Sequence, residues 1–173
     1  MARSRVKIYA VILAGGKGKR LRPLSTDAKP KAFLSVTKDR KTMFKKTVER
    51  ISRIIPSKNI LVVANKRHSG IVKRDFRGID KNNLILEPVS RNTGPAIALA
   101  ASILRRRSSG SIMVVLPADH YIPDEERFLG CVKAAVRFVK QRGDVLVTLG
   151  VKPASPATEF GYIKVRGKKI FKV

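Results

Sequence analysis

Tyr9-Ala10-Val11-Ile12-Leu13 runs directly into Ala14-Gly15-Gly16-Lys17-Gly18-Lys19-Arg20. Five consecutive apolar residues that end on glycines are expected to form a strand covered on both faces, with a tight loop beyond it. The basic residues before Ile8 to Leu13 give the start a superficial likeness to a signal peptide. That apolar stretch is short and meets Gly15-Gly16 at once, so a buried strand explains it better. Working outward, Asn59 to Ala64, Asn83 to Leu86, Ser111 to Leu116 and Asp144 to Gly150 have the same character and are the remaining candidate strands. Between them, Phe44, Val48, Ile51 and Ile55 fall on one helical stripe, and Leu129, Val132, Val136 and Val139 form another within Glu125 to Lys140. The latter helix has Asp124, Glu125 and Glu126 at its start and Gly143 as its stop. Asn92 to Arg107 is a third helix, with Asn92 or Thr93 as cap and Pro95 in its first turn. Strands alternating with helices predict an α/β domain built on a mostly parallel sheet. The tail from Tyr162 to Val173 reads as two short strands around Gly167.

The chain has 173 residues, enough for one domain with a sizeable core. It carries 38 Lys+Arg against 12 Asp+Glu, a formal charge of +26. That excess favours phosphate-rich partners: polyphosphate, nucleic acid or an anionic membrane. The one cysteine, Cys131, excludes an internal disulfide and suits a reducing, cytoplasmic setting. With two histidines besides, the composition also argues against a Cys/His zinc site. No apolar stretch reaches the roughly 20 residues of a membrane span.

In open parallel sheets, ligands bind beyond the carboxyl ends of the strands. The glycine loop, Glu87 and Pro117-Ala118-Asp119-His120 all follow strands, so they should meet along one edge. Gly15, Gly16 and Gly18 allow backbone N–H groups to approach phosphate oxygens, and Lys17, Lys19, Arg20, Arg22, Lys29 and Lys31 supply cations nearby. The loop is neither a Walker A sequence nor a dinucleotide fingerprint. Asp119, one of few carboxylates, suits Mg²⁺ on a triphosphate; a turn or capping aspartate is its plainer reading. His120 either orients Asp119 or is simply structural.

Leu13 through Ser25, followed by Lys29-Pro30-Lys31-Ala32-Phe33-Leu34, resembles the signature of sugar-phosphate nucleotidyltransferases. Glu87 through Ala98, Pro117-Ala118-Asp119-His120 and Pro156 through Ile163 look like further blocks of the mannose-1-phosphate guanylyltransferase branch, in the right order. The resemblance implies a Rossmann-like nucleotide-diphospho-sugar transferase fold, with residues 1–173 as its nucleotide-binding half and the sugar-binding lobe largely absent. It implies GTP and mannose 1-phosphate as substrates and Mg²⁺ as cofactor. Leu13, Ala14, Gly15 and Gly16 would pass under the nucleotide, with Gly18 and Arg20 at its phosphates. Arg20 would stabilise leaving pyrophosphate, Lys31 would bridge the α-phosphate and the sugar phosphate, and Asp119 would bind the metal. Glu87, Arg91, Asn92 and Thr93 would lie near base and ribose, and Gly161 and Tyr162 near the sugar. Capping remains the structural alternative for Asn92 and Thr93. Pro95, Ala96, Ala98, Ala100 and Ala101 read as close helix–sheet packing.

Two places depart from the family pattern: Ala32 stands where glutamine is usual, and Thr37-Lys38-Asp39-Arg40 stands where the family has a glycine-containing turn. Family members are also longer. The expectations are therefore a guanylyltransferase by descent, as a fragment or a short form whose missing lobe comes from a partner chain, or a nucleotide-binding remnant or regulatory subunit without turnover. A homo-oligomer is the alternative to a partner chain. A basic nucleic-acid binder is the third reading. Missing RNA-binding and helix-turn-helix signatures count against it, and Arg105-Arg106-Arg107 suits a helix C-terminus.

Overall fold

The computed structural model of the chain describes residues 6–16, 22–89, 92–156, 158 and 161–164. Among these, four strands form: β1 (Ile8–Leu13), β2 (Ile60–Asn65), β3 (Leu84–Glu87) and β4 (Ile112–Pro117). They make one parallel sheet in the order β3-β2-β1-β4, with Leu13 opposite both Val63 and Pro117, and Asn65 opposite Glu87. The helices are α1 (Met43–Ser52), α2 (Ser69–Asp75), α3 (Thr93–Arg107) and α4 (Glu125–Arg142). The α/β class and the four strand positions follow the expectation, with ends shifted by a residue. Among the described residues no helix is long and apolar enough to cross a membrane.

Crossover handedness explains the layering. Moving from β1 to β2 to β3 and then back across to β4 reverses direction in the sheet, and a right-handed connection must then change faces. On one face, Ala10, Ile12, Val62 and Leu116 pack with Phe44, Val48 and Ile51 of α1, Val72 of α2, and Leu129, Val132 and Val136 of α4. On the other, Tyr9, Val11, Leu61, Val63 and Ile85 meet Ala96, Ala100 and Leu104 of α3. Alanines at 96 and 100 let α3 lie close to the sheet; Ala98, by contrast, is exposed. Alternate residues of β1 serve opposite clusters, which is why its sequence is apolar without a break.

Caps fix several ends. Thr42 accepts a hydrogen bond from Lys45 N at the start of α1, and Asp124 accepts one from Arg127 N at the start of α4. Gly143, at φ 86°, closes α4 in a conformation that favours glycine. Asn92 precedes α3 at φ 68° with no capping bond from its side chain, so the expected capping role does not hold there.

The expected strand at Asp144 to Gly150 does not form; the segment is irregular, and Leu146, Val147 and Leu149 are exposed. Its residues have strand propensity, but a strand is stabilised by ladder bonds and cross-strand packing that propensity cannot supply. Residues 161–164 are likewise not a strand, and the remainder of the expected tail strands lies outside the described residues.

Candidate nucleotide site

The strand order reverses direction between β1 and β4, the point at which open parallel sheets place their ligand crevice, beyond the carboxyl ends. Ladder bonds continue past both strands: Ala14 N donates to Val63 O at 2.8 Å and Ala118 N to Leu13 O at 3.0 Å. Ala14 and Ala118 are therefore buried, and the chain leaves the sheet only at Gly15 and Asp119. Glycine loop and carboxylate thus flank the crevice from neighbouring strands.

Lys31 reaches the same place from a loop. Thr26 and Lys29 close a turn through reciprocal backbone bonds of 3.1 and 3.2 Å. Buried Pro30 then starts a short 3-10 turn over Lys31–Phe33. Phe33 is fully buried, 5.5 Å from the Phe44 ring and 5.8 Å from His68. With that side chain anchored in the core, Lys31 is held at the crevice, and its Nζ lies 3.3 Å from Asp119 Oδ2. Their side chains are 35% and 36% exposed, which leaves both reachable by a ligand. The ion-pair partner of Asp119 is Lys31; His120 is exposed and has no part in it.

Sequence reasoning missed His68. It lies just beyond β2 at the same sheet edge, and its Nε2 donates to Asp27 O at 2.9 Å, tying down the loop that presents Lys31. Its Nδ1 is buried without a hydrogen-bond partner. The rule that singled out Asp119, a polar residue just past a strand end, applies equally to His68.

Glu87 ends β3 and is buried, and loss of hydration raises its carboxyl above the ordinary range. Thr93 and Asn92 are exposed nearby in sequence, and Gly161 and Tyr162 are exposed in the irregular tail. Gly18, Arg20 and Arg91 lie outside the described residues.

Asp119 is the carboxylate at the crevice, and no group of three metal-ligating side chains assembles among the described residues. This donor set fits Mg²⁺ of the kind that keeps phosphate oxygens and waters as most of its ligands and takes one or two carboxylates from protein. It does not fit an all-protein cage.

Residues 9–173 match the nucleotidyl transferase family. A mannose-1-phosphate guanylyltransferase of Escherichia coli is 41% identical over 165 residues, covering 93% of this chain and 34% of that protein. One from Salmonella muenchen is 43% identical over 168 residues, covering 95% and 34%. The chain thus spans about a third of the length of these curated relatives. A crystal structure described as mannose-1-phosphate geranyltransferase from Thermus thermophilus has a TM-score of 0.70 at 31% identity, covering 79% of this chain and 39% of that one.

Proposed function

The chain belongs to the nucleotidyl transferase family, and from that premise we propose that it transfers GMP from GTP to mannose 1-phosphate. The observation that carries the reading is the Lys31–Asp119 pair, 3.3 Å apart beside the glycine loop at the β1/β4 switch point. One phosphate oxygen of mannose 1-phosphate attacks the α-phosphorus of GTP. The bond from that phosphorus to the bridging oxygen breaks, and its electron pair leaves with pyrophosphate, giving GDP-mannose. Leu13 to Gly16 support the nucleotide, Gly18 and Arg20 take its phosphates, and Arg20 offsets charge on the leaving pyrophosphate. Lys31 exchanges its carboxylate partner for the α-phosphate and the sugar phosphate, drawing two anions together. Glu87, Arg91, Asn92 and Thr93 face base and ribose; Gly161 and Tyr162 belong to the sugar side. Mg²⁺, when bound with the triphosphate at Asp119, supplies further charge neutralisation.

Purified protein supplied with GTP, mannose 1-phosphate and Mg²⁺ should release pyrophosphate. Lys31→Ala and Asp119→Ala should each lower that release by about 10²-fold or more, the usual loss for a group that stabilises developing charge. Undiminished release in both variants would sink the assignment.

A second reading rests on a separate observation. Gly161 and Tyr162, expected on the sugar side, are exposed in the irregular tail. On that reading the chain holds GTP without turnover. A GTP-dependent rise in Tm without pyrophosphate release distinguishes it.

A further inference from the structure

A cavity of about 690 Å³ lies between the Ala28–Lys29 turn, the start of α1 and the end of α2. Phe33 forms part of the apolar wall, so the 3-10 turn that carries Lys31 separates this cavity from the crevice. Its lining includes five cations, Lys29, Arg40, Lys41, Lys45 and Arg74, against two carboxylates, Asp39 and Asp75.

Both carboxylates are already engaged. Asp75 accepts from Thr42 Oγ1 at 2.7 Å and from Arg74 Nε at 2.9 Å. Asp39 accepts from Thr37 Oγ1 at 2.6 Å and pairs with Lys46 at 3.0 Å, outside the lining. Those bonds hold its carboxyl down at about 2. Lys41 is paired with Glu49 at 2.8 Å. Among the described residues, no carboxylate pairs with Lys29, Arg40 or Lys45.

Arg40 adds an independent observation. Its backbone sits at φ 54°, a left-handed conformation costly for a residue with a Cβ. Arg40 N donates to Thr37 O at 3.1 Å and Ser35 Oγ donates to Arg40 O at 3.0 Å, which locks the conformation. A glycine would take it without strain. A strained arginine in the lining of a cation-rich cavity is the kind of arrangement found at ligand clamps.

We propose that this cavity, at Lys29, Arg40 and Lys45, is a second anion site that takes an oligophosphate group and is separate from the crevice at Lys31 and Asp119. Guanidinium and ammonium donors without carboxylate partners form charge-assisted bonds to phosphate oxygens. The volume of this open cavity accommodates more than one phosphoryl unit. The group could arrive as free polyphosphate or as the triphosphate of a nucleotide, and the two share this chemistry.

The test is calorimetric titration of the full chain with inorganic tripolyphosphate, with Lys31→Ala as the background that disables the crevice. Binding should persist in Lys31→Ala and fall about tenfold or more when Arg40→Gly and Lys45→Gln are added, the loss of two charge-assisted contacts. Arg40→Gly alone should weaken binding and raise the Tm of the anion-free protein, since it relieves φ 54°. Lys133→Gln with Arg137→Gln, exposed on α4, removes the same charge elsewhere and should leave affinity unchanged. An equal loss in that control would overturn the proposal, because binding would then reflect the general charge of +26. Loss of all binding in Lys31→Ala would also overturn it, while leaving the crevice assignment intact. Titration of GTP after saturation with tripolyphosphate in the Lys31→Ala background identifies the source: displacement marks a nucleotide, and no displacement marks free polyphosphate.

Discussion

Gly16 has no left-handed φ, and a Cβ built there would meet no atom within 4 Å. Neither backbone conformation nor packing against the described residues accounts for glycine at this position; the proposed function does, through close approach of a nucleotide. Gly16→Ala should therefore keep or raise folding stability, by about 0.4–1 kcal/mol from reduced unfolded-state entropy. It should weaken GTP binding at the same time, and paired melting and titration measurements check both signs. Asp119→Asn should cost less than about 1 kcal/mol of stability, because a pair this exposed is well screened. Glu87 behaves differently. Burial raises its pKa, so the folded state binds its proton more tightly than the unfolded state does. Stability is then unaffected below the unfolded pKa and falls as pH rises through the raised folded value. Glu87→Gln lacks that fall, and denaturant melts from acid to neutral pH should show the variant gaining on the parent as pH increases. Glu87 and Asp119 were both legible as strand-end carboxylates. Their opposite environments were not, because burial depends on what the rest of the chain places over each.

At the scale of elements, the helices were read from apolar stripes, and the stripes are what the sheet buries: Phe44, Val48 and Ile51 from α1, Leu129, Val132 and Val136 from α4. The contact between these two helices had no periodic signature. Arg50, 3% exposed in its side chain, bonds Glu125 at 3.0 Å and lies 5.8 Å from the Phe128 ring centre, while Arg53 reaches Glu125 and Glu126. Glu125→Ala leaves a buried guanidinium without its carboxylate and should cost about 2 kcal/mol or more, somewhat below a fully buried pair because Glu125 is partly exposed. Glu126→Ala, on the open side, should cost under about 1 kcal/mol. Urea titration of the two variants separates them, and equal losses would contradict the assignment of Arg50 as the buried partner. The short α2 went unread for a related reason: with Val72 as its buried residue, it is too brief to show a stripe.

Over the whole molecule, the charge of +26 and the exposed apolar residues of the tail act against each other. Leu146 is 102% exposed and Val151 92%, and apolar side chains left this open to water favour association. At low salt, like-charge repulsion opposes it. Screening shortens the reach of that repulsion from about 10 Å at 0.1 M salt to about 3 Å at 1 M. Light scattering should therefore show self-association growing with salt, and Leu146→Lys with Val151→Lys should suppress it; salt-independent scattering would refute this balance. The tail also marks the limit of reading by pattern, since Val145 to Gly150 has the composition of a strand and none of its partners. By itself, the sequence determined the α/β class, four strands, three of the helices, and that the glycine loop, Glu87 and Asp119 all follow the carboxyl ends of strands, although Glu87 on β3 stands two strands away from β1. Those follow from local periodicity and from the fact that parallel strands all end on the same side. Only the tertiary structure decided that Lys31 pairs with Asp119 across 88 positions of chain, that His68 secures the Asp27 carbonyl, and that Val145 to Gly150 stays outside the sheet. Each of these depends on which distant residue occupies the adjoining space, and that is set by packing rather than by any local pattern.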